Sequence, residues 1–308
     1  MNARLTPRLI GLLLLPPLLW AGNAIVGRLV AGNVPPLAFN ALRWCVALLL
    51  LLPLGWRVLA SASAREQILA RWRTLSVLGL LGVGAYNALQ YMALTTSSAM
   101  NVTLIASSMP VWMLAIGAIF YRERPTAQSL LGAVLSLAGV AVVLGRGDLA
   151  VLAQVRFVVG DLLMIVAIIG WATYSWLLAR PHPSMRGDAR PNWSWAEFLL
   201  IQMMFGLVFA GAAAGAEVLV VGEPIKWSGW VLLALLYVAV GPAIIAYRSW
   251  GLGVAQAGPE IAAFFSNLTP LFAAVLSAAV LGEAPQLYHG VAFALIVGGI
   301  VVSARRKS

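Results

Sequence analysis

Two stretches of the chain decide its organisation. They are Ser107-Ser108-Met109-Pro110, followed by Glu123-Arg124-Pro125 and Gly139, and Ser266-Asn267-Leu268-Thr269-Pro270, followed by Glu283-Ala284-Pro285 and Gly299. Both prolines, the glutamate and the glycine recur at one offset, 160 residues. Trp20-Ala21 and Trp171-Ala172 form a further pair, 151 residues apart. Landmarks that match in register predict an internal repeat, with residues 1–150 as the first half and 151–308 as the second.

The composition indicates where these halves reside. Of the 308 residues, 62% are hydrophobic, and the charged ones are only 20 Lys and Arg and 10 Asp and Glu. A soluble core cannot hide so much apolar surface, whereas a bilayer takes up about 20 residues per spanning helix. Ten apolar runs of suitable length follow one another, at about 8–30, 36–55, 73–94, 99–121, 127–145, 157–179, 196–217, 228–250, 259–281 and 287–304. The sequence therefore predicts an all-α polytopic membrane protein with ten transmembrane helices, and it excludes a soluble enzyme.

The basic residues predict the orientation of these ten spans. An even number of spans places both termini on one side, and that side receives 14 of the Lys and Arg, against 3 in the opposite loops. Because cytoplasmic loops of membrane proteins are enriched in Lys and Arg, both termini are expected in the cytoplasm. The net charge of +10 is explained in the same way, without a nucleic-acid partner.

Five spans per half is an odd number, so the two halves are expected to enter the membrane in opposite senses. The turns agree with this expectation, because Arg122-Glu123-Arg124-Pro125 is predicted to be cytoplasmic, while Gly282-Glu283-Ala284-Pro285 has lost both arginines and is predicted to be external. A 5+5 inverted repeat is a recurring plan of secondary transporters, in which one fold in two mirrored orientations can open to either side.

Several kinds of chemistry are disfavoured by the residue counts. Cys45 is the single cysteine, and His182 and His289 are the only histidines, so neither an internal disulfide nor a Cys- or His-rich metal centre is expected. No G-x-x-x-x-G-K-[ST] phosphate loop occurs, so ATP is not expected to drive the chain directly. An intramembrane aspartyl protease needs two aspartates where the spans hold only Asp161. We therefore expect no cofactor, no metal and no enzymatic activity.

The paired prolines are the first candidates for a substrate site. Pro110 and Pro270 fall near the middle of spans 4 and 9, where proline removes a helical hydrogen bond and kinks the helix. The residues at the same level are polar: Ser107, Ser108, Ser266 and Asn267. Paired broken helices at the midplane are typical of a substrate site, but a packing kink satisfied by serine and threonine would look the same.

Other polar and aromatic residues inside the spans are candidates for lining the same cavity. They are Asn23 in span 1, Tyr86 and Gln90 in span 3, Asn101 in span 4, and Trp171 and Tyr174 in span 6. Aromatic and amide groups around one cavity would suit an amphipathic organic ligand. The alternatives are packing, hydrogen bonding between helices for the asparagines, and a place in an interfacial aromatic belt, which Trp250 at the end of span 8 would also suit.

Charged residues inside spans need partners. Arg43 lies roughly 10 Å into span 2 at 1.5 Å per residue, and Asp161 lies at a compatible depth in span 6. Arg248 and Glu260 lie near one level at the cytoplasmic ends of spans 8 and 9. We expect an outer Arg43–Asp161 pair and an inner Arg248–Glu260 pair, acting either as gates or as static ion pairs.

Together these features resemble the drug/metabolite transporter superfamily, in its ten-helix EamA-type branch. Besides the proline–glutamate turns, the resemblance rests on Trp20-Ala21-Gly22-Asn23-Ala24 and Leu42-Arg43-Trp44. It implies a central cavity and export across the bacterial inner membrane, and the chain looks most like the branch members that export aromatic and other amino acids. The expected partners are a small-molecule substrate and the lipid bilayer, with a homodimer left open.

Two alternatives remain at this point. An exporter of drugs or lipophilic cations would share the fold, and Glu260 and the aromatic residues would suit a cation, whereas Arg43 would suit a carboxylate. A channel would not need paired inverted kinks.

Overall fold

The chain is built from helices that follow the predicted apolar runs. A computed structural model describes residues 5–154, 156–281 and 286–304, and these contain helices and turns but no strand. Nine of the described helices are long and apolar enough to cross a membrane, and there are ten when one bent pair is counted as a single span. The prediction of an all-α multi-pass membrane protein is confirmed. The predicted landmarks Glu283-Ala284-Pro285 and the basic residues at 4 and 305–307 lie outside the described residues.

Six spans are single helices, and their bounds agree with the apolar runs. They are span 1 (Pro7–Val30), span 2 (Pro36–Gly55), span 5 (Ala127–Leu144), span 6 (Val159–Ala179), span 7 (Trp195–Val221) and span 10 (Leu287–Ala304). Two short helices, Arg57–Ala60 and Ala62–Ala70, connect spans 2 and 3. Among these six, span 7 extends furthest beyond its predicted end. It ends at Val221, because Gly222 adopts a positive φ and terminates the helix.

The other four spans are irregular, in the same order in each half of the chain. Span 3 (Trp72–Leu94) contains a π-helical segment at Leu80–Ala85, and span 8 (Gly229–Ala257) contains one at Ala239–Ile245. Span 4 is divided into Ala99–Ser107 and Met109–Tyr121, and span 9 into Pro259–Ser266 and Thr269–Leu281. The two kinds of irregularity thus occur in the same order in residues 1–150 and 151–308. The repeat, the opposite orientation of the halves and the cytoplasmic termini stay predictions.

Proline explains where spans 4 and 9 are divided. Pro110 and Pro270 each occupy the second position of the second half-helix, where no helical N–H is needed. The two parts of span 4 are bent by 40° relative to each other. In span 9, Pro270 has no N–H to donate to the carbonyl of Ser266. That carbonyl instead accepts a hydrogen bond from the Thr269 hydroxyl at 2.7 Å.

Spans 5 and 10 pack closely because glycines face each other. A Cβ on Gly132 would lie 2.7 Å from the carbonyl oxygen of Gly299, and a Cβ on Gly299 would lie 2.7 Å from that of Gly132. Such contact distances require helices without side chains at both positions. The repeated glycine landmark Gly299 is therefore a packing residue.

Span 7 caps span 2. The carboxylate of Glu217 accepts hydrogen bonds from the backbone N–H groups of Leu37 and Ala38, at 3.0 and 2.8 Å. These N–H groups lie in the first turn of span 2, where the helix has no internal acceptors for them and where a negative charge is favourable. The cap fixes the start of the span that carries Arg43.

Candidate functional site

Seven aromatic rings form one connected group between the spans, which we call the aromatic cluster: Trp20, Trp44, Tyr86, Trp171, Tyr174, Tyr247 and Trp250. Trp171 lies at its centre, with ring centroids between 5.2 and 5.6 Å from five of the others. Trp44 joins the group through Tyr247, at 4.9 Å in an edge-to-face arrangement. Spans 1, 2 and 3 of the first half and spans 6 and 8 of the second contribute rings, so the cluster joins the two halves.

The two π-helical segments help to hold the aromatic cluster. The hydroxyl of Tyr247 donates to the carbonyl of Gly82 in the segment of span 3. The indole N–H of Trp20 donates to the carbonyl of Pro242 in the segment of span 8, at 3.3 Å. A π-helical turn leaves carbonyl groups outside the regular helical pattern, and such turns are frequent at functional sites. Here they supply acceptors to rings from another span.

Two further hydrogen bonds fix the side of the cluster formed by span 6. The indole N–H of Trp250 donates to the Ser175 hydroxyl at 3.1 Å, and the Tyr174 hydroxyl donates to the side-chain oxygen of Gln202 at 3.0 Å. Trp250 is 1% exposed, so the interpretation of this residue as part of an interfacial belt is wrong. Span 8 continues to Ala257, which places Trp250 well inside the helix rather than at its end.

Arg43 is the charged residue next to the aromatic cluster. It is 3% exposed, and its guanidinium lies over the ring of Trp44, with Cζ 5.0 Å from the centroid. Its two terminal nitrogens donate to the side-chain oxygens of Asn40 at 2.7 Å and of Asn23 at 3.5 Å. Asn23 lies three residues after Trp20 on span 1, so the two side chains lie on the same side of that helix.

Three hydrogen-bond donors at Arg43 and in the aromatic cluster have no protein acceptor. They are Nε of Arg43 and the indole nitrogens of Trp44 and Trp171, all buried and all without a partner among the residues that the structure describes. A buried polar group without a partner costs free energy. The centre of the protein therefore contains a group of donors with unused capacity beside an apolar aromatic surface.

The predicted ion pair between Arg43 and Asp161 is not formed in the structure. Asp161 is 1% exposed, and its carboxylate accepts from the backbone N–H of Val158 at 2.8 Å, from the Asn101 amide at 3.2 Å and from the Ser97 hydroxyl. These donors come from the residue just before span 6, from the first turn of span 4 and from the segment that leads into span 4. Depth in the membrane was the basis of the predicted pair, and depth alone does not determine which faces of two helices meet.

This arrangement also corrects the expected place of Asn101. Its amide donates to Asp161 and, at 2.9 Å, to the backbone carbonyl of Arg156. Asn101 thus holds the start of span 4 against the start of span 6, and its side-chain hydrogen bonds go to residues outside the aromatic cluster. The alternative prediction for this residue, a hydrogen bond between helices, describes it correctly.

The predicted Arg248–Glu260 pair is likewise absent from the described part of the chain. The guanidinium of Arg248 lies over the ring of Trp195, with Cζ 4.1 Å from the centroid. An ion pair that the described residues do form joins Arg180, just after span 6, to Glu123 in the turn after span 4. Both of its side chains are partly exposed, so its net contribution to stability is small.

The polar residues at the breaks of spans 4 and 9 mostly bond to their own backbone. The hydroxyls of Ser107, Ser108 and Ser266 donate to carbonyls three or four residues earlier, those of Thr103, Ile105 and Ala263. The breaks do meet, because the Ser266 hydroxyl also lies 3.4 Å from the sulfur of Met109. Asn267 donates to Ser136 of span 5 at 2.8 Å, a partner that the sequence analysis missed. These contacts favour a packing role for the break residues in this conformation.

The remaining predicted cavity residues lie in or near the aromatic cluster. Trp171 and Tyr174 are central to it, Tyr86 contacts Trp171 at 5.4 Å, and Gln90 follows Tyr86 by one turn and is half-buried. Four rings of the aromatic cluster were not among the predicted cavity residues: Trp20, Trp44, Tyr247 and Trp250. Gln202, which accepts from Tyr174, was not among them either. Trp20 and Trp44 lie within the two motifs on which the family resemblance rests. Gln202 could have been found as the single amide inside the apolar run of span 7.

Comparison with known proteins agrees with this architecture. The EamA-like transporter family pattern matches residues 8–145 and again 158–305. The chain belongs to the EamA-like transporter family. The resemblance to the drug/metabolite transporter superfamily is thereby confirmed, and the family is one of membrane transporters rather than enzymes.

Individual relatives extend over almost the whole chain. An uncharacterised transporter of Archaeoglobus fulgidus is 26% identical over 96% of this chain and 97% of its own length. The aromatic amino acid exporter YddG of Ancylobacter novellus is 26% identical over 93% of each chain. A crystal structure that is 24% identical shares the fold, with a TM-score of 0.71 over 94% of both chains.

Proposed function

We propose that this protein is a secondary transporter that exports neutral amino acids, the aromatic ones in particular, across the bacterial inner membrane. The observation that carries the proposal is the aromatic cluster, whose seven rings come from spans of both halves. Rings of this kind bind aromatic side chains through offset and edge-to-face contacts. The similarity to an aromatic amino acid exporter supports the same substrate class.

Alternating access follows from the way in which the cluster is shared. Rings of the first half, such as Trp20, contact rings of the second half, such as Trp171 and Trp250, at about the same distance, 5.4 Å. A movement of one half against the other separates these rings and opens space between them. The substrate then takes the place of ring–ring contacts in the central cavity, and the two mirrored orientations open it to either side in turn.

An exporter of drugs or lipophilic cations is the competing function of the same fold. Aromatic faces attract cations, so the cluster alone suits both classes of substrate. The nearest charge decides between them, because Arg43 at the edge of the cluster repels a cation and attracts a carboxylate. A neutral amino acid, which carries a carboxylate and an apolar side chain, fits both features.

The test is transport by the purified protein in proteoliposomes. Labelled phenylalanine, threonine and glutamate are offered with and without a pH gradient, and saturable uptake of the neutral amino acids is expected. Dependence on the gradient identifies proton coupling, and uptake without it identifies facilitated transport. Flux no greater than in empty liposomes for all three, together with uptake of a lipophilic cation, overturns the proposal.

Variants of Trp171 connect the transport to the cluster. Trp171→Ala removes a ring that contacts five others, and we expect phenylalanine uptake to fall at least tenfold, while Trp171→Phe keeps an aromatic ring and part of the activity. Truncation of a buried tryptophan costs about 3–5 kcal/mol of stability, so the amount of folded protein is measured by size exclusion for each variant. Wild-type phenylalanine uptake by folded Trp171→Ala contradicts a role of the cluster in binding.

A further inference from the structure

We propose that Arg43 binds the carboxylate of the transported amino acid and thereby selects amino acids against amines and cations that carry the same side chain. The inference rests on the proposed function and assigns a specific contact to it. The observation behind this inference is the guanidinium of Arg43, which is buried at the edge of the aromatic cluster. Neutral amides hold it there, and its Nε donor is unused.

Arg43 is charged, and no carboxylate among the residues that the structure describes forms an ion pair with it. Arginine stays protonated in proteins, and this one is 3% exposed. Its only hydrogen-bond partners among the described residues are the amide oxygens of Asn40 and Asn23. The carboxylate nearest in expected depth, Asp161, is occupied by Ser97, Asn101 and Val158. A buried charge without a counter-charge is destabilising, so a ligand that supplies one is bound favourably.

The buried side-chain atoms that lack a hydrogen-bond partner at Arg43 and in the aromatic cluster are all donors. Nε of Arg43 has no acceptor, and the same is true of the indole nitrogens of Trp44 and Trp171. An ionised carboxylate has only acceptor positions, and the planar fork of a guanidinium can bind both of its oxygens. An ammonium group, in contrast, offers only donors and a like charge. The chemistry of the donors thus selects an acid rather than a base.

The charge of Arg43 and the aromatic surface lie close enough together for one small molecule to contact both. Trp44 contacts both, because the guanidinium of Arg43 lies over its ring and Tyr247 packs against its edge. On span 1, Asn23 and Trp20 are less than one helical turn of about 5.4 Å apart. An aromatic amino acid whose carboxylate is at Arg43 therefore places its ring within the reach of the cluster.

Asn40 and Asn23 are positioning residues in this arrangement. They hold the two terminal nitrogens of Arg43, and the Nε edge is left for the ligand. As neutral acceptors they orient the guanidinium without cancelling its charge. Aspartate at position 40 would cancel it, and this difference provides a test.

The experiment measures competition for uptake of labelled phenylalanine by unlabelled phenylalanine, phenylalanine amide and phenylethylamine. The latter two keep the ring and lack the carboxylate. For the wild-type protein we expect phenylalanine to compete at least about tenfold better than either, the size expected of a charge-assisted hydrogen bond. In Arg43→Gln this preference is expected to fall to about one, and in Arg43→Lys, which keeps the charge but loses the fork, to an intermediate value. Arg156→Gln, which removes an exposed arginine from the same predicted side of the membrane, is the matched control and keeps the wild-type preference.

Asn40→Asp provides a second variant that does not depend on the folding of Arg43→Gln. Its carboxylate replaces an amide that already lies 2.7 Å from the guanidinium, so the fold is expected to tolerate it while the internal acid competes with the substrate. We expect phenylalanine binding to weaken at least about tenfold. Quenching of tryptophan fluorescence in detergent measures this binding directly, because four tryptophans lie in the aromatic cluster.

The outcomes separate the two proposals. A wild-type protein that takes up no amino acid overturns the proposed function and the inference with it. A wild-type protein that transports phenylalanine without preferring it to phenylethylamine, or an Asn40→Asp variant with unchanged phenylalanine binding, overturns the inference alone. The same holds if Arg43→Gln transports phenylalanine with the wild-type preference.

Discussion

Replacement of Asp161 by asparagine tests whether this residue is a structural anchor or part of the transport cycle. One carboxylate oxygen accepts from Val158 and Asn101, and the other accepts from the Ser97 hydroxyl. In Asp161→Asn, the amide oxygen can keep the first two bonds. The amide nitrogen can donate to the Ser97 oxygen, because a hydroxyl can accept as well as donate. The geometry is kept, and only the charge is lost.

The magnitude follows from the strengths of these bonds. A hydrogen bond to a charged group contributes about 1.5–3 kcal/mol and a neutral one about 0.5–1.5 kcal/mol, so three weakened bonds lose roughly 3 kcal/mol in total. Part of this loss is offset because a charge no longer has to be buried. We expect Asp161→Asn to be less stable by about 1–2 kcal/mol. Asp161→Ala leaves three donors without this acceptor, of which those of Ser97 and Asn101 are buried; at about 1–3 kcal/mol for each buried donor, the variant is expected to be far less stable or unfolded.

The assay combines thermal unfolding with transport. Purified variants are heated, the fraction that stays monodisperse is measured by size exclusion, and uptake is measured in parallel at a temperature where both proteins are folded. Asp161→Asn is expected to unfold at a lower temperature and to keep uptake within about twofold of the wild type, since the bonds that it retains preserve the geometry. Asp188→Asn, at an exposed position between spans 6 and 7, is the control. The reasoning is refuted if Asp161→Asn unfolds like the wild type but has lost transport, because the charge would then act in the cycle, for example by pairing with Arg43 in another conformation.

Two further predictions concern packing and orientation. Gly299→Ala places a Cβ 2.7 Å from the carbonyl oxygen of Gly132, and we expect it to lower the free energy of unfolding by about 1–3 kcal/mol. Gly298→Ala, whose Cβ would meet nothing within 4 Å, is expected to keep or raise the melting temperature, because alanine is favoured over glycine inside a helix. An equal loss of stability in the two variants would contradict close contact of spans 5 and 10. The orientation is tested in a background in which Cys45 is replaced. Glu223→Cys is expected to react with a membrane-impermeant maleimide in whole cells, because position 223 is predicted to be external, and Asp188→Cys is expected to react only after the membrane is opened, because position 188 is predicted to be cytoplasmic. The reverse pattern would contradict the predicted cytoplasmic termini.

The hydrophobic runs predicted the helices well because crossing a bilayer leaves a strong local signal. The spans start within two residues of their predicted starts, and both divided spans are divided next to a proline that the sequence marks, Pro110 and Pro270. The π-helical segments were not predicted, because Leu80–Ala85 and Ala239–Ile245 differ little in hydropathy from their surroundings. Their geometry depends on rings from other spans that hydrogen-bond to them.

The candidate site was predicted only in part. Tyr86, Trp171 and Tyr174 were expected around a cavity and are members of the aromatic cluster. Asn101 was expected with them and instead binds Asp161, because a side chain in the first turn of a span is close to the ends of neighbouring helices. Trp250 shows the opposite error, since a helix that extends further than its apolar run places that ring deeper in the protein.

By itself, the sequence determined that this chain is a multi-pass helical membrane protein, because local apolar composition decides whether a segment enters a bilayer, and its motifs identified the transporter family. Tertiary structure alone decided the partners of its charged residues. Arg43 lies between asparagines and a tryptophan rather than beside Asp161, and Arg248 lies on Trp195 rather than beside Glu260. Depth along a span can be counted from the sequence, but the rotation of each helix and the choice of its neighbours follow from packing among all the spans. That packing places Arg43 at the edge of the aromatic cluster, with no counter-charge from the described part of the chain.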